Sequence, residues 1–405
     1  MNLTGPFSQI LPLSGLPVKG ALRDEQLPVI TNGGIVTDNG KIITIADFNT
    51  LQQQYPQSNI THINTPAVLL PGFIDCHTHI CFDGNRSRDY AMRIAGKSYL
   101  EIARAGGGIW DSVTKTRTAT IDTLTKNTVA RANRHLQEGV TTIEVKSGYG
   151  LNLEDELKML QAIRLAGLQT KATLIPTCLA AHMLPKDFEG TEETYLNWII
   201  NVLLPEVKDL TQRVDIFIEE TAFSAAQALP FLLQAKALGF AATVHADQFT
   251  CGGAIVAIEA GAVSADHLEA SDINSVAGLA AADIAAVVLP GASLGLGMPY
   301  APARRLLDAG ACVAIASDWN PGSAPMGDLL LQAAVMSAAE KLSAAEVFAG
   351  LTFRAAKALQ LTHTGQLAPG FDADMQMYPC DDYRDILYYQ GKMKPSAVWK
   401  NGEKI

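Results

Sequence analysis

No run of about 18 apolar residues occurs in this chain, so no bilayer-spanning helix is expected. The first twenty residues lack both a basic start and a continuous apolar stretch, and do not read as a secretory signal. Cysteine is sparse. Six are scattered at positions 76, 81, 178, 251, 312 and 380, with no C-x-x-C pair. That argues against a disulfide framework and against a cysteine-held structural zinc, and makes a reducing cytoplasm the expectation. Charge is also modest, at 18% of residues with a net of −10, which argues against nucleic acid or an anionic membrane as partner. A small anionic substrate is not excluded, because local charge in a cleft decides that. Internal repeats and low-complexity segments are absent.

What is present is a 405-residue chain, 48% hydrophobic, long enough to bury a large core. Short apolar, often β-branched runs alternate with helical patterns, the signature of parallel β/α units. The runs are 68–70 leading to Ile74, then 140–145, 172–175, 214–218, 241–244, 262–265, 285–289 and 312–316. Eight such runs close a (β/α)8 barrel of TIM type, an α/β fold. Helical patterns lie between them, for example over 154–166 and 224–238. The two ends differ. Residues 33–45 read as a hairpin around Asp38-Asn39-Gly40, and a C-terminal strand precedes the turn signal Asn401-Gly402. A small composite β-domain from residues 1–68 with 366–405 is expected, with the barrel over 69–365.

Barrel chemistry sits at the C-terminal ends of the strands. The chain has eight histidines, and five (His77, His79, His182, His245 and His267) fall at or just after strand ends. Residues i and i+2 of an extended segment point to one side, so His77 and His79 can reach one metal together. Adding His245 and Asp318 gives three neutral imidazoles and a carboxylate, a set suited to one divalent zinc, iron or manganese ion. Such a site, with a formal charge of about +1, lowers the pKa of bound water towards neutrality. His267 is either a further ligand or the group that handles the water's proton. Arg86, on the loop after His79, can grip a carboxylate or phosphate bidentately. Tyr149 stands between glycines in a loop that exposes its phenol. Lys146 raises a carboxylated-lysine, two-metal reading, but no second ligand set accompanies it, and a structural role is favoured. The turn 318–323 (DWNPGS) offers Asn320 and Ser323 to a polar substrate.

The segment 70–79 (LPGFIDCHTH) resembles the first-strand signature of the amidohydrolase superfamily. The finer resemblance is to the imidazolonepropionase family. It rests on 71–79, 83–86, AGGGI at 105–109, EVKSGYG at 144–150, AHMLP at 181–185, HADQ at 245–248, SADHLE at 264–269 and DWNPGS at 318–323. The last motif and EVKSGYG are the most family-specific. The resemblance implies a barrel with a composite β-domain, one zinc or iron ion and a homodimer. It also implies hydrolysis of 4-imidazolone-5-propanoate to N-formimidoyl-L-glutamate in histidine degradation.

Carried over by position, His77, His79, His245 and Asp318 match the metal ligands. Arg86, Tyr149, His182, Gln248, Asn320, Gly322 and Ser323 match substrate-contacting positions, and His267 matches the proton-transfer histidine. Asp318 and His267 are expected to orient the water and take its proton, and His182 to stabilise a developing oxyanion. Gln248 stands where many superfamily members carry glutamate. A glutamine can hydrogen-bond a ring amide but cannot shuttle a proton, which disfavours a deaminase. The alternatives are an amidohydrolase for another small anionic cyclic amide or amidine, or a non-catalytic barrel scaffold.

Overall fold

The computed structural model describes residues 1–97 and 99–405. Eight parallel strands form one sheet in sequential order. They are β1 (Phe73–Asp75), β2 (Val140–Lys146), β3 (Thr173–Ala181), β4 (Arg213–Phe217), β5 (Ala241–Ala246), β6 (Ser264–His267), β7 (Ala285–Val288) and β8 (Cys312–Ile315). The sheet closes between β8 and β1 at their C-terminal ends. Asp318 N donates to His77 O (3.1 Å), His79 N to Trp319 O (2.9 Å), and Ser317 N to the Asp75 carboxylate (3.0 Å).

Helices cover the outside, and their ends follow local chemistry. Leu153–Gly167 starts at Asn152, whose side chain accepts from Asp155 N, and Ala225–Ala237 follows the capping box of Ser224 and Gln227. The far end of the barrel is plugged by Phe353–Ala358. Its alanines 355, 356 and 358 pack on Ile74, Ala285 and Ala314, small residues that let a helix approach the strand bottoms.

The first apolar run is not one strand. Val68–Pro71 pairs antiparallel with Met375–Tyr378 in a second sheet, and only Phe73–Asp75 enters the barrel. The break falls at Gly72, where a Cβ would sit 2.4 Å from Thr141 Oγ1, so only glycine permits the approach. The second sheet also contains Asn2–Ile10, Ile30–Asp38 and Lys41–Asp47 from the start of the chain, and Ala397–Lys400 and Glu403–Lys404 from its end. Both predicted turns hold, with positive φ at Asn39 and Gly40 (47° and 77°) and at Asn401 and Gly402 (50° and 76°), the geometry right-twisted hairpins require. Among the described residues no helix is long and apolar enough to cross a membrane.

Asp75 is the fastening of the seam. It is fully buried, accepts from Ser317 N, and lies 3.0 Å from His135 Nε2. Asp75→Ala strands a buried backbone donor, and the expected loss is about 1–3 kcal/mol, read as a lowered urea midpoint at unchanged m.

Candidate metal centre and substrate cavity

Four side chains from three strand ends converge at the top of the barrel. His77 and His79 follow β1, His245 lies near the end of β5, and Asp318 follows β8. His79 Nε2 lies 3.3 Å from His245 Nε2 and 3.4 Å from Asp318 Oδ1, and His77 Nε2 lies 3.6 Å from that same oxygen. All four residues are buried. Ligand atoms of His77, His79 and His245 lie within 4.8 Å of one another, as do those of His77, His267 and Asp318.

The donors fit a divalent ion. His77 Nδ1 lies 2.7 Å from Asp266 Oδ2, so the neutral ring donates there and leaves Nε2 bare. That Nε2 is buried and, among the described residues, has no hydrogen-bond partner. A buried lone pair facing two more imidazoles and a carboxylate is otherwise a cost without compensation. Burial pushes His77 and His79 well below the usual imidazole range, and pushes His245 down to about 3 against the pull of Asp215. Neutral rings are what coordination requires.

Beneath these four side chains lies a sealed charged layer, of which only Asp215 falls outside the motifs. His245 Nδ1 lies 2.9 Å from Asp215 Oδ2, and Lys146 Nζ lies 2.8 Å from Asp215 and 2.9 Å from Glu144. Burial opposes the charge on Asp215, but His245 and Lys146 outweigh it and hold the carboxyl well below its usual range. Burial also works against the Lys146 ammonium, and Asp215, Glu144 and Asp266 overcome it. Lys146 is therefore a paired cation, not a candidate for carboxylation. Asp266 is pushed up to about 7, chiefly by burial.

A cavity of about 590 Å³ opens over this centre. Tyr149, His182, Gln248, His267, Arg86, Asn320 and Ser323 line it. Gly322 does not line it; it backs Arg86, whose Nη1 would lie 2.2 Å from a Cβ there. The DWNPGS turn is held by its own side chains. Asn320 Oδ1 accepts from Gly322 N and Ser323 N, and Ser323 Oγ lies 3.2 Å from Asp318 Oδ2. Glu219, buried at the end of β4, accepts from Phe249 N, Thr250 N and Thr250 Oγ1, and so fixes the loop that carries Gln248.

Two histidines gain their character from contacts that the motifs do not spell out. His182 Nδ1 lies 2.9 Å from the Gly148 carbonyl, which can only accept, so Nδ1 carries the proton. Burial pushes the ring down to about 4, so it is neutral near pH 7 and its Nε2 is an acceptor. The expected role as a hydrogen-bond donor to an oxyanion does not suit this tautomer. His267 is the opposite case. Its Nδ1 lies 3.6 Å from Glu269 Oε2, and although burial opposes its charge, Glu269, Asp318 and Asp266 raise its pKa overall. His267 and Asp318 both hold left-handed backbone (φ 85° and 49°), strain of about 1–3 kcal/mol each that clusters at the site.

Residues 68–405 match the profile of the amidohydrolase family. Fold and site together define a metal-dependent amidohydrolase, and the chain belongs to that family. Its relatives are narrower in kind. The imidazolonepropionase of Myxococcus xanthus is 42% identical over 336 residues, covering 82% of this chain and 80% of that one. Those of Bdellovibrio bacteriovorus (36% over 408 residues, 98% and 95%) and Kosmotoga olearia (38% over 403 residues, 98% and 97%) extend the match to nearly the whole chain. Within the amidohydrolases, the chain belongs to the imidazolonepropionase family. Among solved structures, a variant of atrazine chlorohydrolase from Arthrobacter aurescens complexed with zinc and atraton shares the fold at TM-score 0.70 and 16% identity, covering 100% of this chain and 95% of that one. Helicobacter pylori aminofutalosine deaminase does so at TM-score 0.71 and 17% identity, covering both chains fully.

Two outcomes follow from the partners of these histidines. Asp266→Asn weakens the orientation of His77, and metal affinity should fall about 10–100-fold in a chelator competition. His182 has a folded pKa of about 4 against about 6.5 unfolded, so the unfolded chain binds more protons between those values. Its effect on stability is absent above pH ~6.5 and grows as pH falls towards 4. His182→Gln should remove up to about 3 kcal/mol of that acid-side loss, seen as a shallower fall of the urea midpoint with falling pH.

Proposed function

We propose that this chain hydrolyses the cyclic amide of 4-imidazolone-5-propanoate to N-formimidoyl-L-glutamate. The observation that carries the reading is the union of the four converging side chains with a cavity lined by the cationic Arg86, the hydrogen-bond-accepting His182 and the proton-accepting His267. Imidazolonepropionase relatives at 36–42% identity support the same substrate. His77, His79, His245 and Asp318 hold one divalent ion, zinc or iron with manganese a further option. When bound, the ion polarises the scissile carbonyl and acidifies water.

The protein groups divide the remaining work. Arg86 and Tyr149 bind the propanoate carboxylate. His182 Nε2 accepts from a ring N–H, and Gln248 pairs with the ring amide. A water adds to the ring carbonyl carbon and loses its proton to His267 Nε2, with Glu269 stabilising the imidazolium and Asp318 and Ser323 fixing the water's approach. The C–N bond of the tetrahedral adduct then breaks, and the proton passes from His267 to the departing nitrogen. One water is consumed, and the ring opens to a carboxylate and a formimidoyl amine.

The same proposal includes a cytoplasmic homodimer with no nucleic-acid partner, in keeping with a net charge of −10. It also divides the chain into a composite β-domain (1–68 with 366–405) and a barrel (69–365), with 69–71 assigned by their pairing to the former.

The test is direct: freshly generated imidazolone propanoate is supplied to metal-analysed protein and loss of the ring chromophore is followed. Turnover proportional to bound metal is expected; no turnover with a stoichiometric metal rejects the substrate. His267→Ala should lower kcat by about 10²–10⁴. Arg86→Ala should act mainly on KM, so unchanged kinetics would remove its assignment.

A further inference from the structure

The helix Ser87–Ile94 brings a second guanidinium to the cavity. Arg86 precedes the helix, Arg93 lies in its last turn, and both line the cavity. Arg86 Nε donates to Asp89 Oδ2 (2.8 Å), and that buried carboxylate also accepts from Gly108 N (2.9 Å). Arg93 is held differently. Its Nη1 donates to Gly295 O (2.5 Å) and its Nη2 lies 3.5 Å from Gly322 O, while among the described residues it has no ion pair. Gly322 thus stands between two guanidiniums, Arg93 at its carbonyl and Arg86 against its Cα. Carbonyls satisfy N–H groups but do not neutralise charge. Burial and then the charge of Arg86 pull the Arg93 pKa below its ordinary value, and Asp89 only partly compensates. Two like charges held near one carboxylate leave a surplus positive charge on this wall, and an anion there relieves the repulsion.

We propose that Arg93 is a specificity-determining residue of this site, pairing with Arg86 to select ring substrates that carry a carboxylate tail. The inference rests on the ring-opening reading for the identity of the ring, but the charge selection is tested by binding alone. A role confined to bridging Gly295 and Gly322 would shape the wall for any ligand, charged or not.

The metal-loaded protein is titrated calorimetrically with imidazole-4-propanoate and with its carboxamide. The wild type is expected to bind the carboxylate at least ~10-fold more tightly. Arg93→Gln keeps N–H donors for the two carbonyls and removes the charge. It should lose about 10-fold in carboxylate affinity and leave carboxamide affinity unchanged, with KM for the imidazolone rising in proportion and kcat little altered. Arg93→Lys keeps the charge but not the fork that spans both carbonyls, and should retain the preference for carboxylate. Equal losses for both ligands in Arg93→Gln, no loss for either, or loss of the preference in Arg93→Lys would each overturn the proposal. Should the wild type show the binding preference yet not open the imidazolone ring, the functional reading fails and the charge selection stands.

Discussion

The closure of the barrel between β8 and β1 is the constraint on which the site depends. The hydrogen bonds that make this seam belong to the backbone of the segments that carry the candidate ligands, from Asp318 N to His77 O and from His79 N to Trp319 O. Ligand spacing on this side is therefore set by strand pairing, which is stiff, rather than by loop conformation. His245 faces them from β5, so its distance to His79 is fixed by the width of the barrel. The seam is braced from outside. Arg134 lies over the Trp319 ring at 3.9 Å and His135 packs edge-on against it at 4.8 Å.

Below the seam, the barrel departs from an apolar core. Glu144, Lys146, Asp215 and Asp266 are all buried, and charges without water cost several kcal/mol each unless they are paired. Here the pairing has a direction. Lys146 pairs with Asp215 and Glu144, Asp215 faces His245, and Asp266 faces His77. Each candidate ligand imidazole with a carboxylate behind it has its ring plane and tautomer fixed by the protein alone.

Much of this was legible in the chain and some was not, for physical reasons. The strands announced themselves because a parallel strand buried on both faces needs an unbroken apolar run. His77, His79, His245 and Asp318 were legible because they interrupt such runs at their ends. The division at Gly72 was not, since apolar residues of two different sheets join there without a polar break, and only the crowding against Thr141 shows why. Asp215 lies inside its strand, where one carboxylate looks like noise until Lys146 is placed opposite it. The tautomer of His182 depends on the Gly148 carbonyl, 34 residues away in sequence, and no local pattern encodes that contact. Gly322 matched a family position, yet its place behind Arg86 needed three dimensions.

The pairing of Val68–Pro71 with Met375–Tyr378 carries a consequence for how the site is assembled. Gln376 Nε2 donates to Pro71 O across 305 residues of chain. The strand that leads directly into β1, and hence to His77 and His79, pairs on one side with Asn2–Ile10 but gains its second neighbour only after the whole barrel has been synthesised. A nascent chain that stops short of Met375 leaves one apolar edge open immediately upstream of His77 and His79. Closure of the second sheet around this strand is therefore one of the last events of chain completion, and a prematurely ended product is marked by a half-paired apolar strand.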